Sequence, residues 1–157
     1  MTDDTDAATA EARARAAHQF IAALPHCRAL SMKVEDVGAG EATISMPWAA
    51  DIVGDPRTGV VHGGAVSALM DTTGGAAVLS HPTAPVSTAT MDLRIDYMRA
   101  ATPHQVITAR AVCHHVTRSV AFVRAEAFDE DTDKGPVAVA NGAFTLDRGR
   151  DGGGRAQ

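Results

Sequence analysis

The stretch Gly59-Val60-Val61-His62-Gly63-Gly64-Ala65-Val66-Ser67-Ala68-Leu69-Met70-Asp71, continued by Thr72-Thr73-Gly74-Gly75-Ala76-Ala77-Val78-Leu79, decides how this chain folds. From Gly63 to Leu79 the only charged side chain among seventeen residues is Asp71. Such a run is too long for a buried strand and reads as a helix. A helix that is apolar all round has no face to give to water, so it is expected to be buried all round. Everything else the chain builds must then wrap it.

Working outward, His81-Pro82-Thr83-Ala84-Pro85 breaks the helix. Four strand-like runs follow, at 86–99, 105–116, 119–128 and 137–146. In the first, Met91, Leu93, Ile95 and Tyr97 alternate with Asp92, Arg94 and Asp96. That is the period of a half-buried strand and turns Met91 inward. Ile107, Ala109, Ala111 and Cys113 share one face of the second run, and Ala121, Val123, Ala125 and Ala127 one face of the third. Faces this small let a helix sit close.

On the other side of the central run, 49–61 is a loop with Gly54, Asp55-Pro56 and Gly59. Before it, Ala42, Ile44 and Met46 alternate with Thr43 and Ser45, and Val37-Gly38-Ala39-Gly40 predicts a hairpin whose glycines take positive φ. Ala7 to Leu24 is alanine-rich, with Phe20, Ile21 and Leu24 at helical spacing, and Pro25 is expected to close this amphipathic helix. The chain thus divides into a helical segment over 1–28, a domain over 29–146 and a polar, flexible tail over 147–157 containing Gly152-Gly153-Gly154. Short links between the strands imply an antiparallel sheet wrapped around one buried helix, an α+β architecture.

Composition narrows the function. The chain has 157 residues, 45% hydrophobic and 21% charged, which suits one globular domain, and aromatics are only 4%. A net charge of -5 without any Lys/Arg cluster argues against a nucleic-acid partner. Cys27 and Cys113 stand apart, so neither a disulfide framework nor a zinc site is expected, and both are read as buried small residues. His114 and His115 are strand neighbours that should point to opposite faces and so not share a metal ion. No metal and no cofactor is predicted. The acidic start, Met1 to Asp6, lacks a secretory pattern and no run is long enough to span a bilayer, so a cytoplasmic location without a membrane partner is the expectation.

The chemistry is read from the same stretch. Two glycines opening a buried helix leave N–H groups bare at its positive end, where they can hold a carbonyl oxygen as charge develops on it. A carboxylate within an apolar helix is desolvated, which strengthens it as a base or nucleophile. Local readings exist as well: Asp71 could be satisfied by Thr72 or Thr73, and Gly63-Gly64 could serve only a tight helix start. Asp71 follows Gly63 by eight residues, about 12 Å along a helix axis. One chain therefore cannot bring both to a single carbon, whereas two copies with antiparallel helices about a two-fold axis would form two equivalent sites.

His62-Gly63-Gly64 to Asp71, followed by Gly74, Gly75 and Ala76, resembles the signature of hotdog-fold acyl-CoA thioesterases of the phenylacetate-pathway (PaaI-like) type. Thr90-Met91-Asp92-Leu93-Arg94-Ile95-Asp96-Tyr97-Met98-Arg99 and Thr117-Arg118-Ser119-Val120-Ala121-Phe122 resemble it too, and the likeness covers about 29–146. The resemblance implies a hotdog fold and hydrolysis of an acyl-CoA thioester to free acid and coenzyme A. It implies that the Gly63 amide polarises the carbonyl, that Asp71 activates water or attacks directly, and that Thr90 places the water. His62 would shape the helix start among the catalytic set, with Gly64, Arg118 and Ser119 at the substrate, the latter two toward the pantetheine or phosphate part. Many relatives carry an Asn before the histidine where this chain has Asp55-Pro56, so a contact is missing or falls to Asp55.

A homodimer with sites across its interface is the assembly expected from the Gly63–Asp71 spacing, and whether two such dimers join into a dimer of dimers stays open at this point. The alternative is a non-catalytic acyl-CoA-binding or sensing protein on the same fold. Hydration or dehydration of acyl thioesters would need a catalytic histidine, for which His62 is the candidate. The acyl group ranges from aryl-acetyl and hydroxybenzoyl to medium-chain fatty acyl, with Met91, Leu30, Met32 and the N-terminal helix expected to set pocket depth.

Overall fold

The computed structural model describes residues 3–83 and 85–149. Its first helices are α1, Asp3–Ala23, and α2, Pro25–Ala29; the central one is α3, Gly63–Ser80. The strands are β1 Lys33–Gly38, β2 Glu41–Met46, β3 Val53–Asp55, β4 Val60–Val61, β5 Thr90–Tyr97, β6 Ile107–Val116, β7 Val120–Phe128 and β8 Ala138–Thr145. Six of them form one sheet in the order β1-β2-β6-β7-β8-β5, every pairing antiparallel, while β3 and β4 pair separately. This is the hotdog: the sheet curls around α3, which packs on β2, β6 and β7.

The small-residue faces do what their size permits. Ala109, Ala111, Ala121, Ala125 and Ala127 are buried beneath α3, whose Leu69, Met70, Ala76, Ala77 and Val78 are fully buried against them. Close backbone approach takes the place of large side chains in filling the core. Cys27 and Cys113 are both buried, free thiols, and burial pushes each thiol's pKa up.

Several expectations need correction. The first helix does close before Pro25, at Ala23, but Pro25 then opens the separate short helix α2, where its missing N–H costs nothing. Ile21 faces the core, yet Phe20 is 54% exposed. In the β1–β2 hairpin the positive φ angles fall on Ala39 (52°) and Gly40 (87°), not on Gly38. Of the tail, Asp147 bridges to Ser87 and Arg148 Nη2 donates to the Thr117 carbonyl at 3.3 Å, while 150–157 lie outside the described residues. A register shift between Cys113 and His115 defeats strict alternation, so His114 and His115 are both exposed.

Two departures bear on the site. α3 is not buried all round: Gly64 is exposed and Ala68, Asp71, Thr72, Gly75 and Leu79 are half-buried. Spaced three or four apart, these residues form one continuous stripe on a single side. In β5, Thr90 pairs with Phe144 but Asp92 already pairs with Ala143, so Met91 is the extra residue of a β-bulge. Met91 is 60% exposed rather than inward, and the bulge turns Thr90 to the side of Leu93 and Ile95.

Candidate active site

α3 starts where it does because His62 caps it. His62 is extended (φ -62°, ψ 135°), and its Nδ1 accepts the Gly64 N–H at 2.8 Å. With Nδ1 accepting, the ring is neutral and carries its proton on Nε2, a tautomer assigned from the hydrogen bonding. The His62 carbonyl accepts from the Ala65 N–H at 3.0 Å, and the His62 N–H donates to the Ile52 carbonyl at 2.8 Å. Gly54 permits this approach, since a Cβ there would lie 2.9 Å from His62 Cα.

These bonds sort the two glycines. The Gly64 N–H is spent on His62; the Gly63 N–H has no acceptor among the described residues. The Gly63 carbonyl is held as well, accepting the Tyr97 hydroxyl at 2.7 Å, and that hydroxyl shares a 2.5 Å hydrogen bond with Ser67 Oγ. Sequence reasoning passed over Tyr97 and Ser67. The available signal was a tyrosine at an inward strand position, whose hydroxyl needs a polar partner.

Two turns along α3, Asp71 Oδ1 accepts the Thr90 hydroxyl at 2.7 Å. The pairing requires the bulge at Met91, which aims Thr90 at the helix. Neither Thr72 nor Thr73 satisfies Asp71: Thr72 Oγ1 lies 3.9 Å from Cys27 Sγ, and Thr73 Oγ1 donates to the Leu69 carbonyl at 2.6 Å. Asp71 Oδ2 is without a partner among the described residues. Asp71, Thr90, Ser67, Ala68, Leu93 and Ile95 line an open groove of 420 Å³ between α3 and β5.

The remaining candidates lie elsewhere. Asp55 is tied into the β3–β4 turn, accepting the Arg57 N–H at 3.0 Å and Arg57 Nε at 3.3 Å, which holds its carboxyl below the usual range. Within one chain it belongs to that turn and not to the Asp71 groove. Arg118 and Ser119 are exposed in the β6–β7 turn. The register runs from Ala121 through Phe144 to Thr90, so that turn lies at the Thr90 end of the sheet. No helix of the described residues is long and apolar enough to cross a membrane.

Residues 58–136 match the family model described as the thioesterase superfamily. A Halobacterium salinarum protein named as a candidate esterase is 35% identical over 124 residues, covering 76% of this chain and 82% of that one. Among solved structures, a Pseudomonas aeruginosa protein is 39% identical with a TM-score of 0.74, covering 85% of this chain and 98% of the other. A variant of the phenylacetic acid degradation protein PaaI from Thermus thermophilus is 30% identical with a TM-score of 0.68, covering 78% of this chain and 99% of the other.

Proposed function

Since the chain belongs to the thioesterase superfamily, we propose that it hydrolyses an acyl-CoA thioester to a carboxylic acid and coenzyme A, in a homodimer whose sites each take residues from both copies. The observation that carries this is the pairing of a carboxylate bound by Thr90 with a partnerless helix-start amide at Gly63, too far apart on one α3 to serve one carbon.

Asp71 Oδ2 takes the proton of a water while Oδ1 is held by Thr90, and the water oxygen bonds to the thioester carbon. The negative charge that moves onto the carbonyl oxygen is met by the Gly63 N–H of the other copy, at the positive end of its helix. When the tetrahedral intermediate collapses, the C–S bond breaks and the thiolate leaves; Asp71 returns the proton. Tyr97 and Ser67 hold the Gly63 peptide in place, and His62 spends the competing amide. The half-open part of α3 from Gly64 to Asp71 and the exposed Met91 and Tyr97 on edge strand β5 support a second copy seated there.

Complementation tests it. Asp71→Asn removes the base. Gly63→Pro removes the amide hydrogen and puts a ring carbon in its place, with the new Cβ in ordinary contact with the Tyr97 ring at 3.4 Å; the helix should still form, because proline is accepted at the first helical position and His62 already has the extended backbone that must precede it. Each variant alone should lose about a hundredfold or more in thiol release from acyl-CoA. Mixed and re-paired, half of the dimers carry one intact site of two, so activity should return to about a quarter of the unaltered level. Two inactive variants that stay inactive on mixing would refute a shared site, and an unaltered protein that binds acyl-CoA without releasing thiol would establish a binding role instead.

A further inference from the structure

The open stripe of α3 continues past Asp71. Gly75 and Leu79 follow at successive steps of four, so the same side of the helix stays uncovered for two further turns. At Leu79 it enters a second cavity of 390 Å³, walled by Ala16 and Phe20 of α1 and by Val86 and Thr88 of the segment leading into β5. The walls are apolar, and Phe20 and Val86 are 54% and 75% exposed. Thr88 lines this cavity and Thr90 the first one, so the two lie end to end along the same strip of chain.

Gly75 stands at the passage. A Cβ at Gly74 would lie 2.8 Å from Phe144 Cζ, so that glycine is required by packing. At Gly75 a Cβ would meet only Phe144 Cε1, at 4.0 Å. Packing does not ask for a glycine there, and a larger side chain would project into the stripe. The partner's helix, as placed in the proposed dimer, does not fill it either. If Gly63 of the partner subunit stands opposite Asp71, that antiparallel helix begins there and does not run on to Gly75 or Leu79.

We propose that this second cavity receives the acyl chain of the substrate, which runs from the thioester at Asp71 across Gly75 to Leu79 and Phe20. The inference rests on the thioesterase reading and gives it a substrate class. Asp71 and Leu79 are about 12 Å apart along the axis, so only a straight apolar chain of roughly ten carbons or more reaches the cavity. Shorter acyl groups gain nothing from it. Each methylene buried there raises kcat/KM about three- to fourfold.

Two measurements on the full chain test this. Acyl-CoA with a ten-carbon chain and a terminal photoreactive diazirine should, on irradiation, label Leu79 or residues within 16–20 or 85–88; label elsewhere, or none, overturns the proposal. The ratio of kcat/KM for decanoyl-CoA over butyryl-CoA should fall at least tenfold in Gly75→Leu; an unchanged ratio in a variant with an unaltered melting profile overturns it. Labelling at 16–20 by a protein that hydrolyses no thioester would uphold the chain-binding cavity while removing the thioesterase reading.

Discussion

Thr90 reaches Asp71 because the residue after it does not follow the pleat. Alternation along 91–97 places Met91 with Leu93 and Ile95, and only the bulge, which needs the partner strand to be seen, gives that side to Thr90. The hydroxyl's value to a carboxylate can be stated. A hydrogen bond to a charged group contributes about 1.5 to 3 kcal/mol, so Thr90→Val should lower kcat roughly ten- to a hundredfold with KM little changed, and Thr90→Ser should restore it. Steady-state kinetics on the three proteins decide; equal kcat in all of them would remove Thr90 from the site. Asp71 and Gly63 could be singled out as candidates from the sequence for a simple reason: a lone acid in an apolar helix and bare glycines at its start are costly arrangements without a use. Tyr97 was not, because what it binds is a backbone carbonyl that has no sequence signature.

At the scale of the element, the apolar run identified α3 and its place in the core. The uncovered stripe was hidden, because glycine, alanine and threonine read as equally fit for a dry or a half-open surface. The adjacent glycines show how little the letters say. Gly74 lies under the Phe144 ring and Gly75 beside open space. Gly74→Val should cost about 1 to 3 kcal/mol through overpacking, whereas Gly75→Ala should be neutral or stabilising by up to about 1 kcal/mol, since a helix favours alanine. Thermal denaturation of the two variants should separate them in opposite directions; equal destabilisation would mean that Gly75 too is held by packing.

For the whole molecule, β5 is the edge of the sheet, and what anchors its far end is a buried ion pair. Arg99 grips Asp129 with two bonds of 2.7 Å, and Asp129 also accepts the Thr102 N–H at 2.8 Å. The Arg99 guanidinium holds the Asp129 carboxyl far below the usual carboxylate range, and Arg99 is raised in turn. A depressed folded pKa means stability present in full above about pH 4 and lost as pH falls from there. Melting temperatures should therefore be flat from pH 8 to about pH 5 and drop steeply below pH 4. Asp129→Asn should cost about 3 kcal/mol at neutral pH and flatten the acid decline; an unaltered acid profile in that variant would assign the decline to other carboxylates. Loops such as 129–137 gave no hint of this pair, since its partners are thirty residues apart and meet only once the sheet has closed. One consequence of the strand itself remains. β5 is stitched to α3 twice, by Thr90 at one end and Tyr97 at the other, so its length is constrained as its composition is not: residues inserted between those two stitches would undo one of them, though the loops on either side could lengthen freely.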